Sequence, residues 1–361
     1  MLLIAQGSWD MARTFALGFA VVPATVLFGL LAWGMYTALF LWVLHRFELL
    51  EPLPDTALVL AFAWGGLGAA FLAIPSNAAI LSLCAKLVSP DFALRWGAAL
   101  AGPTVEEPLK LAGVVLLVLV ARNQFRTPLP VLAAGAVVGL GFQVVENFSY
   151  SVNASLVFPR DEQIEPVLLN LFARGLVGGL WSHAAYSTVA AMGVAWCLLQ
   201  TRRPMWQRAG GGAGCLLLAW ALHFFWNAPL VDAVLQWPGG RLLWLLVKGV
   251  PVMAAAWLFW HAATREEGRQ LRALADHFVP ERELISDSER RRLGSPLQRL
   301  MARRYLRNRY GMKAGRLKWH LQRAQLRLLR RVAVRGRGPR TARLEARIRA
   351  LRARLEALRA G

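Results

Sequence analysis

The sequence is poor in charged residues and in cysteine. Only 17% of its 361 residues are charged and 56% are hydrophobic, whereas charged residues reach about a quarter of a typical soluble domain. The three cysteines, Cys84, Cys197 and Cys215, lie in apolar stretches without CxxC spacing. This pattern argues against a disulfide framework and against a thiolate zinc cluster. We therefore expect the cysteines to pack as small hydrophobic side chains.

Seven apolar stretches are long enough to cross a membrane, for which about 20 residues are needed. They cover residues 16–44, 57–85, 96–120, 129–151, 168–200, 209–231 and 242–262. The first two contain no charged residue, and the first leaves open a bend or two shorter passes. The beginning of the chain lacks the basic region of a cleaved signal peptide, so we expect this early run to remain as a span. The sequence predicts an all-α, polytopic membrane bundle of about seven transmembrane helices.

The net charge of +21 is concentrated at one end of the chain. Residues 1–263 carry 14 Lys and Arg against 12 Asp and Glu, whereas residues 264–361 carry 28 against 9. We therefore expect a membrane domain over 1–263 and a basic tail over 264–361. The sequence of the tail predicts a basic amphipathic helix over 298–331 and a final helix over 341–360. The final helix carries a short heptad seam of Leu344, Ile348, Leu351, Leu355 and Leu358.

The positions of Lys and Arg in the loops predict the topology. The loops 121–128 and 201–208 and the tail are rich in arginine, so they are expected on the cytoplasmic side. The loop 152–167 has one arginine against three acidic residues and is expected outside. Seven spans then leave the N-terminus outside. The tail is expected to contact anionic lipids, because each basic residue near the membrane surface contributes about 1 kcal/mol of attraction. Nucleic acid is the less favoured partner of the tail.

Ionisable residues inside apolar spans cost several kcal/mol, so they indicate function. In the third span Glu106 and Lys110 are four residues apart and able to pair, while Glu107 points toward a different neighbour. In the fourth span Glu146 precedes Asn147 and Tyr150. The glycines of the fourth span allow close approach of another helix.

The next two spans carry histidines. Arg174 and His183 lie in the fifth span, and His223 and Asn227 lie four residues apart in the sixth. In the predicted topology these polar groups, together with those of the third and fourth spans, fall at mid-depth or in the outer half of the membrane. Four helices are therefore expected to bring them to one water-accessible cavity that faces away from the cytoplasm.

Two histidines and a glutamate form a zinc site of the kind that leaves one position open for water. A second glutamate would serve as general base, and Asn227 would donate a hydrogen bond to the oxyanion of the tetrahedral intermediate. The same residues also permit hydrolysis without a metal, in which Glu and His activate water directly. The residues alone leave these two mechanisms open.

Four motifs on successive spans resemble one known family. They are EEPLK at 106–110, FQVVENFSY at 142–150, His183 followed by Gly193, and HFFWN at 223–227. In order and spacing they are similar to the PrsW family of intramembrane proteases, which is related to type II CAAX prenyl endopeptidases. The resemblance covers about residues 96–231. Phe142-x-x-x-Glu146 has the PrsW-like form of a motif that ends in His in the CAAX relatives.

The resemblance implies a set of metal-binding or water-activating residues. The set consists of Glu106, Glu107, Glu146, His183 and His223, with Asn227 in support. We expect Glu146, His183 and His223 as zinc ligands, and Glu106, Glu107 and Asn227 as catalytic residues. The supporting residues are expected to be Lys110, Asn147, Tyr150 and Arg174.

The resemblance also implies cleavage of a membrane-tethered protein, as in site-1 cleavage of anti-sigma factors. The expected location is the bacterial cytoplasmic (inner) membrane, with the tail in the cytoplasm. Two other functions remain open. The intramembrane Glu, His and Lys residues also suit a proton-coupled transporter, and a non-catalytic scaffold could keep the same fold.

Overall fold

The computed structural model describes residues 2–47, 53–157 and 163–360, and the described residues are almost entirely helical, without a β-strand. This confirms the all-α prediction. The described residues form two compact units, one of residues 2–44 and 53–260, the other of residues 45–47 and 261–360.

The first unit contains the apolar helices. They are α1 (Leu2–Val21), α2 (Pro23–Phe47), α3 (Asp55–Ala63), α4 (Ala70–Leu87), α5 (Pro90–Val120), α6 (Pro128–Val157), α7 (Glu165–Asn170), α8 (His183–Leu199), α9 (Met205–Asn227) and α10 (Gly240–Phe278), which continues into the second unit. A π-helical turn, Trp64–Ala69, joins α3 to α4. Shorter helical turns cover Arg122–Gln124, Leu171–Val177, Gly179–Trp181 and Pro229–Gln236.

Five helical segments in the described part of the chain are long and apolar enough to cross a membrane. They are Pro23–His45, Asp55–Leu87, Pro128–Val157, Met205–Gln236 and Gly240–Phe278. The other two predicted spans correspond to α5, a 31-residue helix with five charged residues, and to α8, which has 17 residues. The protein is therefore a multi-pass membrane protein. The number of seven spans stays a prediction.

Two of the predicted spans differ from the helices that form. The run 16–44 is divided at Val22, where α1 ends and α2 begins with Pro23, because proline fits the first turn of a helix better than its interior. The prediction of one continuous helix over 168–200 is wrong. That region breaks between Gly178 and Ser182, so His183 begins α8 instead of lying inside a long helix.

Helix α6 is the most deeply buried of the five candidate spans, since 83% of the residues in its most apolar stretch are buried. Its glycines allow other backbones to approach. A methyl group on Gly139 would overlap the carbonyl of His183, and one on Gly141 would overlap the carbonyl of Phe62. The close helix approach predicted from these glycines is confirmed. It brings the beginning of α8 against the middle of α6.

The second unit has its own apolar core. Its helices after α10 are α11 (Asp287–Leu293), α12 (Pro296–Arg335), which is interrupted at Tyr310 and Gly311, and α13 (Pro339–Ala360). Ile348, Leu351 and Leu355 of the predicted heptad seam are buried in this core. The seam therefore packs within the unit.

A buried carboxylate, Glu289, links the helices of the second unit. Its Oε1 accepts a hydrogen bond from Lys318 Nζ at 2.6 Å, and its Oε2 accepts one from Arg352 at 2.6 Å and one from Gln325 Nε2 at 3.0 Å. Burial by itself would raise the pKa of Glu289, but Lys318 and Arg352 outweigh this effect and lower the pKa to about 2.

This pKa predicts that acid destabilises the second unit. Because the folded pKa lies below the ordinary value of 4.5, Glu289 stabilises the fold above about pH 4.5, and this contribution is lost as the pH falls toward about 2. The loss amounts to about 3 kcal/mol. Hydrogen exchange of amides 284–293 in the full chain, corrected for the intrinsic exchange rate, measures it. In Glu289→Gln the protection of these amides should be lower at neutral pH and vary less with pH; an unchanged pH profile would contradict the assignment.

Candidate metal centre

Helix α5 supplies two adjacent carboxylates and a lysine to the interior of the first unit. Glu106, Glu107 and Lys110 are all buried. Lys110 Nζ donates a hydrogen bond to Glu107 Oε1 at 2.6 Å and lies 3.7 Å from Glu106 Oε2. The predicted pairing of Lys110 with Glu106 is thus the longer of two contacts. A single ammonium group faces two carboxylates, so the pair of glutamates keeps an excess of negative charge.

His223 of α9 is held by Glu107. The Nδ1 atom of His223 lies 2.8 Å from Glu107 Oε1, and the imidazole ring stacks on Tyr186 of α8 with 4.7 Å between ring centroids. Because a carboxylate accepts a hydrogen bond from the protonated ring nitrogen, this contact assigns the proton to Nδ1. The Nε2 atom of His223 then carries the lone pair that a metal ion requires.

His183 is held by Glu146 of α6. The Nε2 atom of His183 lies 2.9 Å from Glu146 Oε2, which also accepts a hydrogen bond from Arg174 at 3.1 Å. Arg174 Nε donates a second bond to Asn147 Oδ1 at 2.7 Å, and its guanidinium lies 4.0 Å from the ring centre of Tyr150. The proton is therefore assigned to Nε2 of His183. Its Nδ1 carries the lone pair and faces Lys110 Nζ at 3.0 Å.

The break before α8 fixes the position of His183. Ser182 Oγ donates a hydrogen bond to Gln143 Oε1 at 2.9 Å, and Gln143 Nε2 donates one to the hydroxyl of Tyr36 at 3.0 Å. Gly179 allows the backbone to pass close to the side chains of Gln143 and Tyr36. A methyl group on residue 179 would lie only 2.7 Å from Gln143 Nε2 and 2.7 Å from the Tyr36 hydroxyl. Helix α6 therefore positions Ser182, the residue before His183, through Gln143. One turn further along the same helix, Glu146 binds His183 itself.

Glu106 completes a group with the two histidines. One possible ligand atom from each of Glu106, His183 and His223 lies within 4.8 Å of the others, and all three residues are buried. The imidazole rings of the histidines are nearly perpendicular, with 5.2 Å between their centroids. Asn77 of α4 donates a hydrogen bond to Glu106 Oε1 at 3.0 Å. This bond orients the carboxylate of Glu106.

Gly102 leaves a small space beside this group. A methyl group on Gly102 would lie 3.2 Å from Asn227 Nδ2, 3.5 Å from His223 Nε2 and 3.6 Å from Glu106 Oε1. Three polar atoms from α5 and α9 therefore point toward one spot, which stays open because residue 102 has no side chain. Asn227 Nδ2 also donates a hydrogen bond to the carbonyl of Ala98 at 3.2 Å.

These residues fit a divalent metal ion. The Oε2 atoms of Glu106 and Glu107 are buried and have no hydrogen-bond partner among the described residues, although an unsatisfied buried carboxylate oxygen is costly. Each histidine has one ring nitrogen bound to a carboxylate. The other nitrogen of His183 lies 3.0 Å from Lys110 Nζ and 3.7 Å from Glu106 Oε2. Histidine ligands of metal ions are commonly oriented by a carboxylate in this way.

A family model described as PrsW family intramembrane metalloprotease matches residues 53–260, which is more than half of the chain. The chain belongs to the PrsW family. The match includes every residue of the site and confirms the resemblance inferred from the four motifs. It indicates a peptidase of the membrane whose substrates are membrane proteins. No curated protein and no solved structure matches the chain significantly.

The PrsW site brings together all the residues that the sequence analysis singled out, but with different neighbours. Glu106, not Glu146, joins the two histidines in the three-residue group. Glu146 instead lies between His183 and Arg174. Asn147, Tyr150 and Arg174 surround Glu146, on the side of His183 that faces α6.

Three residues of this PrsW site were not singled out from the sequence. Tyr186 is fully buried, stacks on His223, and has a hydroxyl without a hydrogen-bond partner in the described part of the chain. Asn77 binds Glu106, and Gly102 leaves the open space. Tyr186 follows His183 by three residues, so helical spacing would have placed it on the same face. Asn77 is a polar residue in a span without charges. Gly102 had no signal in the sequence.

Proposed function

We propose that this PrsW family member is an intramembrane metalloendopeptidase that hydrolyses a peptide bond of a membrane-tethered protein. The observation that carries the proposal is the buried group of Glu106, His183 and His223. Each histidine also binds a carboxylate outside this group: His183 binds Glu146, and His223 binds Glu107. A site for proton transfer alone would not require two histidines that lie beside a third carboxylate and are each bound to a carboxylate of their own.

Glu106, His183 and His223 are the proposed ligands, and zinc is the proposed metal because it accepts carboxylate and imidazole ligands and keeps a position open in catalytic sites. A metal ion bound there would polarise the scissile carbonyl group and favour loss of a proton from water. Glu146 is proposed to orient His183. Arg174, Asn147 and Tyr150 in turn hold Glu146 through the contacts described above.

Glu107 is the proposed general base. Its Oε1 already binds Lys110 and His223, while its Oε2 has no partner and is available to accept a proton from the attacking water. The new bond joins the water oxygen to the carbonyl carbon, and the peptide C–N bond then breaks. Glu107 returns the proton to the departing amine. Lys110 stabilises the carboxylate form of Glu107 before it takes the proton and after it has returned it.

Asn227 is the proposed oxyanion donor. Its Nδ2 points toward the open space beside Gly102 and binds only a backbone carbonyl, that of Ala98. Rotation of the side chain would transfer this donor to the carbonyl oxygen of the substrate. A donor of this kind contributes about 3–4 kcal/mol to transition-state stabilisation in a well-studied case.

The proposed location is the bacterial cytoplasmic membrane, with residues 1–263 as the catalytic domain and 264–361 as a cytoplasmic tail. This topology rests on the arginine-rich loops and leaves the site at mid-depth or in the outer half of the membrane. The proposed substrate is a protein with a single span or a membrane anchor, cleaved near the outer face. An anti-sigma-factor-like protein in site-1 cleavage fits this description.

Gly102→Ala tests the proposal. The added methyl group would fill the space between Asn227, His223 and Glu106, so cleavage of a single-span reporter in proteoliposomes should fall by about tenfold or more. Helix stability should not fall, since alanine is favoured over glycine within a helix by about 1 kcal/mol. Gly214→Ala is the matched control, because a methyl group there meets no atom within 4 Å. Full activity of Gly102→Ala would contradict the proposed site.

A further inference from the structure

The second unit has a groove between the end of α12 and the beginning of α13 that is lined almost entirely by arginine. It has a volume of about 740 Å³, and we call it the arginine groove. Its lining residues are Arg327, Arg330, Arg331, Val334, Arg335, Arg340, Arg343, Leu344 and Arg347. No acidic residue contributes to the lining.

Other arginines of this unit have carboxylate partners. Arg290 binds Asp276 at 2.8 Å, Arg337 binds Glu281 at 2.6 Å, and Arg349 binds Glu283 at 2.7 Å. In the arginine groove, by contrast, every arginine except Arg330 lacks an ion pair and a hydrogen bond to any described residue. The other six arginines therefore gain nothing from pairing with the described residues, while their positive charges repel one another.

The composition of the tail points to phosphate as the anion. Residues 264–361 contain 26 arginines and only two lysines. A general attraction to negative charge would be served equally well by lysine, whereas the planar guanidinium group binds phosphate through two parallel hydrogen bonds. Arginines from two helices that face one groove can bind several phosphate oxygens at once.

The apolar residues of the groove favour a lipid over a soluble polyanion. Val334 is 62% exposed between the arginines, and it would gain from contact with the glycerol and acyl region of a lipid. The unit also begins within α10, an apolar helix long enough to cross the membrane. Helix α10 therefore keeps this unit close to the phosphate groups of the bilayer.

We propose that the arginine groove is a binding site for the headgroups of anionic phospholipids. This site is independent of the peptidase centre, and it gives the basic tail a specific ligand. It differs from general surface attraction because it depends on where the arginines lie, and not only on how many there are.

The test compares two variants of the full-length protein with equal loss of charge. The groove variant carries Arg327→Gln, Arg335→Gln, Arg343→Gln and Arg347→Gln. The control variant carries Arg304→Gln, Arg307→Gln, Arg316→Gln and Arg354→Gln, four exposed arginines of the same unit outside the groove. Native mass spectrometry in a non-ionic detergent measures binding of dioleoylphosphatidylglycerol, with dioleoylphosphatidylcholine as the neutral lipid.

We expect the groove variant to bind phosphatidylglycerol about tenfold or more weakly than the wild type, and the control variant to change by less than about twofold. Lipid bound to the membrane helices is common to all three proteins and cancels in the comparison. Equal weakening in both variants would overturn the proposal in favour of net charge alone. Groove-dependent binding of a 12-nucleotide single-stranded DNA or of polyphosphate that is tighter than that of the lipid would overturn the choice of ligand.

Discussion

Replacement of Glu107 by Gln is expected to reduce cleavage of a membrane-tethered substrate by about 10²- to 10⁴-fold, the usual contribution of a general acid–base residue. Glutamine keeps an oxygen that can accept bonds from Lys110 and from His223 Nδ1, so the local geometry is largely preserved. It cannot accept a proton from water, and it binds the imidazole less strongly than a carboxylate does. The measurement is the initial rate of cleavage in proteoliposomes.

The change also leaves Lys110 without its closest counter-ion. Removal of one partner from a buried ion pair destabilises a protein by about 3–5 kcal/mol, so folding has to be separated from chemistry. The double variant Glu107→Gln, Lys110→Met removes both charges and is expected to fold without regaining activity. If it cleaves at the wild-type rate, Glu107 acts only in charge compensation, and the assignment of a general base is wrong.

Asp232→Asn serves as the control for a carboxylate paired with lysine. Asp232 Oδ1 lies 3.5 Å from Lys248 Nζ in another part of the first unit, so this substitution removes a comparable charge outside the site. It is expected to leave cleavage unchanged. Normal processing of substrate by Glu107→Gln itself would instead favour the non-catalytic scaffold that the sequence leaves open.

The ionisable residues of the site were predictable because each is expensive inside a membrane. Glu106, Glu107, Glu146, His183 and His223 stand out in apolar spans for this reason, and all of them meet in one place in the structure. The helical periodicity also predicts that Glu106 and Lys110 share a face. Long apolar segments predict the all-α architecture without knowledge of any contact.

The partners of His183 were not predictable, because they depend on the break before α8. A continuous helix over 168–200 would place His183 in mid-helix, whereas Gly178 and Gly179 end the preceding turns and His183 begins a new helix. The resulting position lets Glu146 bind its Nε2 and brings its Nδ1 to 3.0 Å from Lys110 Nζ and 3.7 Å from Glu106 Oε2. Spacing along a single helix cannot reveal which carboxylate of another helix a histidine will meet.

The neutral residues of the site had the weakest sequence signals. Asn77, Gly102 and Tyr186 carry no charge, so they cost less in an apolar span than an ionised side chain and are harder to distinguish from packing residues. Their roles become visible only from what they contact, namely Glu106 for Asn77, and His223 for Tyr186. In the tail, similarly, the heptad seam predicts an apolar face but does not distinguish packing within the chain from pairing between chains.

Metal content is expected to distinguish the two glutamates that were considered as ligands. Wild-type protein purified in detergent should contain about one zinc per chain, and His223→Ala should retain little of it, because one of three protein ligands is lost. Glu106→Gln should lose zinc to a similar extent. Glu146→Gln should retain a measurable part of it with weaker affinity, by about 10- to 100-fold, since Glu146 acts on the metal through His183.

Inductively coupled plasma mass spectrometry of the four proteins gives this result, with His320→Ala, an exposed histidine of the second unit, as the control. If Glu146→Gln loses the metal and Glu106→Gln retains it, the ligand set is Glu146, His183 and His223. The assignment of Glu106 as a ligand in place of Glu146 is then wrong. A fully active wild type without metal would contradict the metal centre itself. Hydrolysis would then depend on Glu107 and the histidines acting directly on water, so Glu107→Gln would remain inactive while chelators had no effect on the wild type.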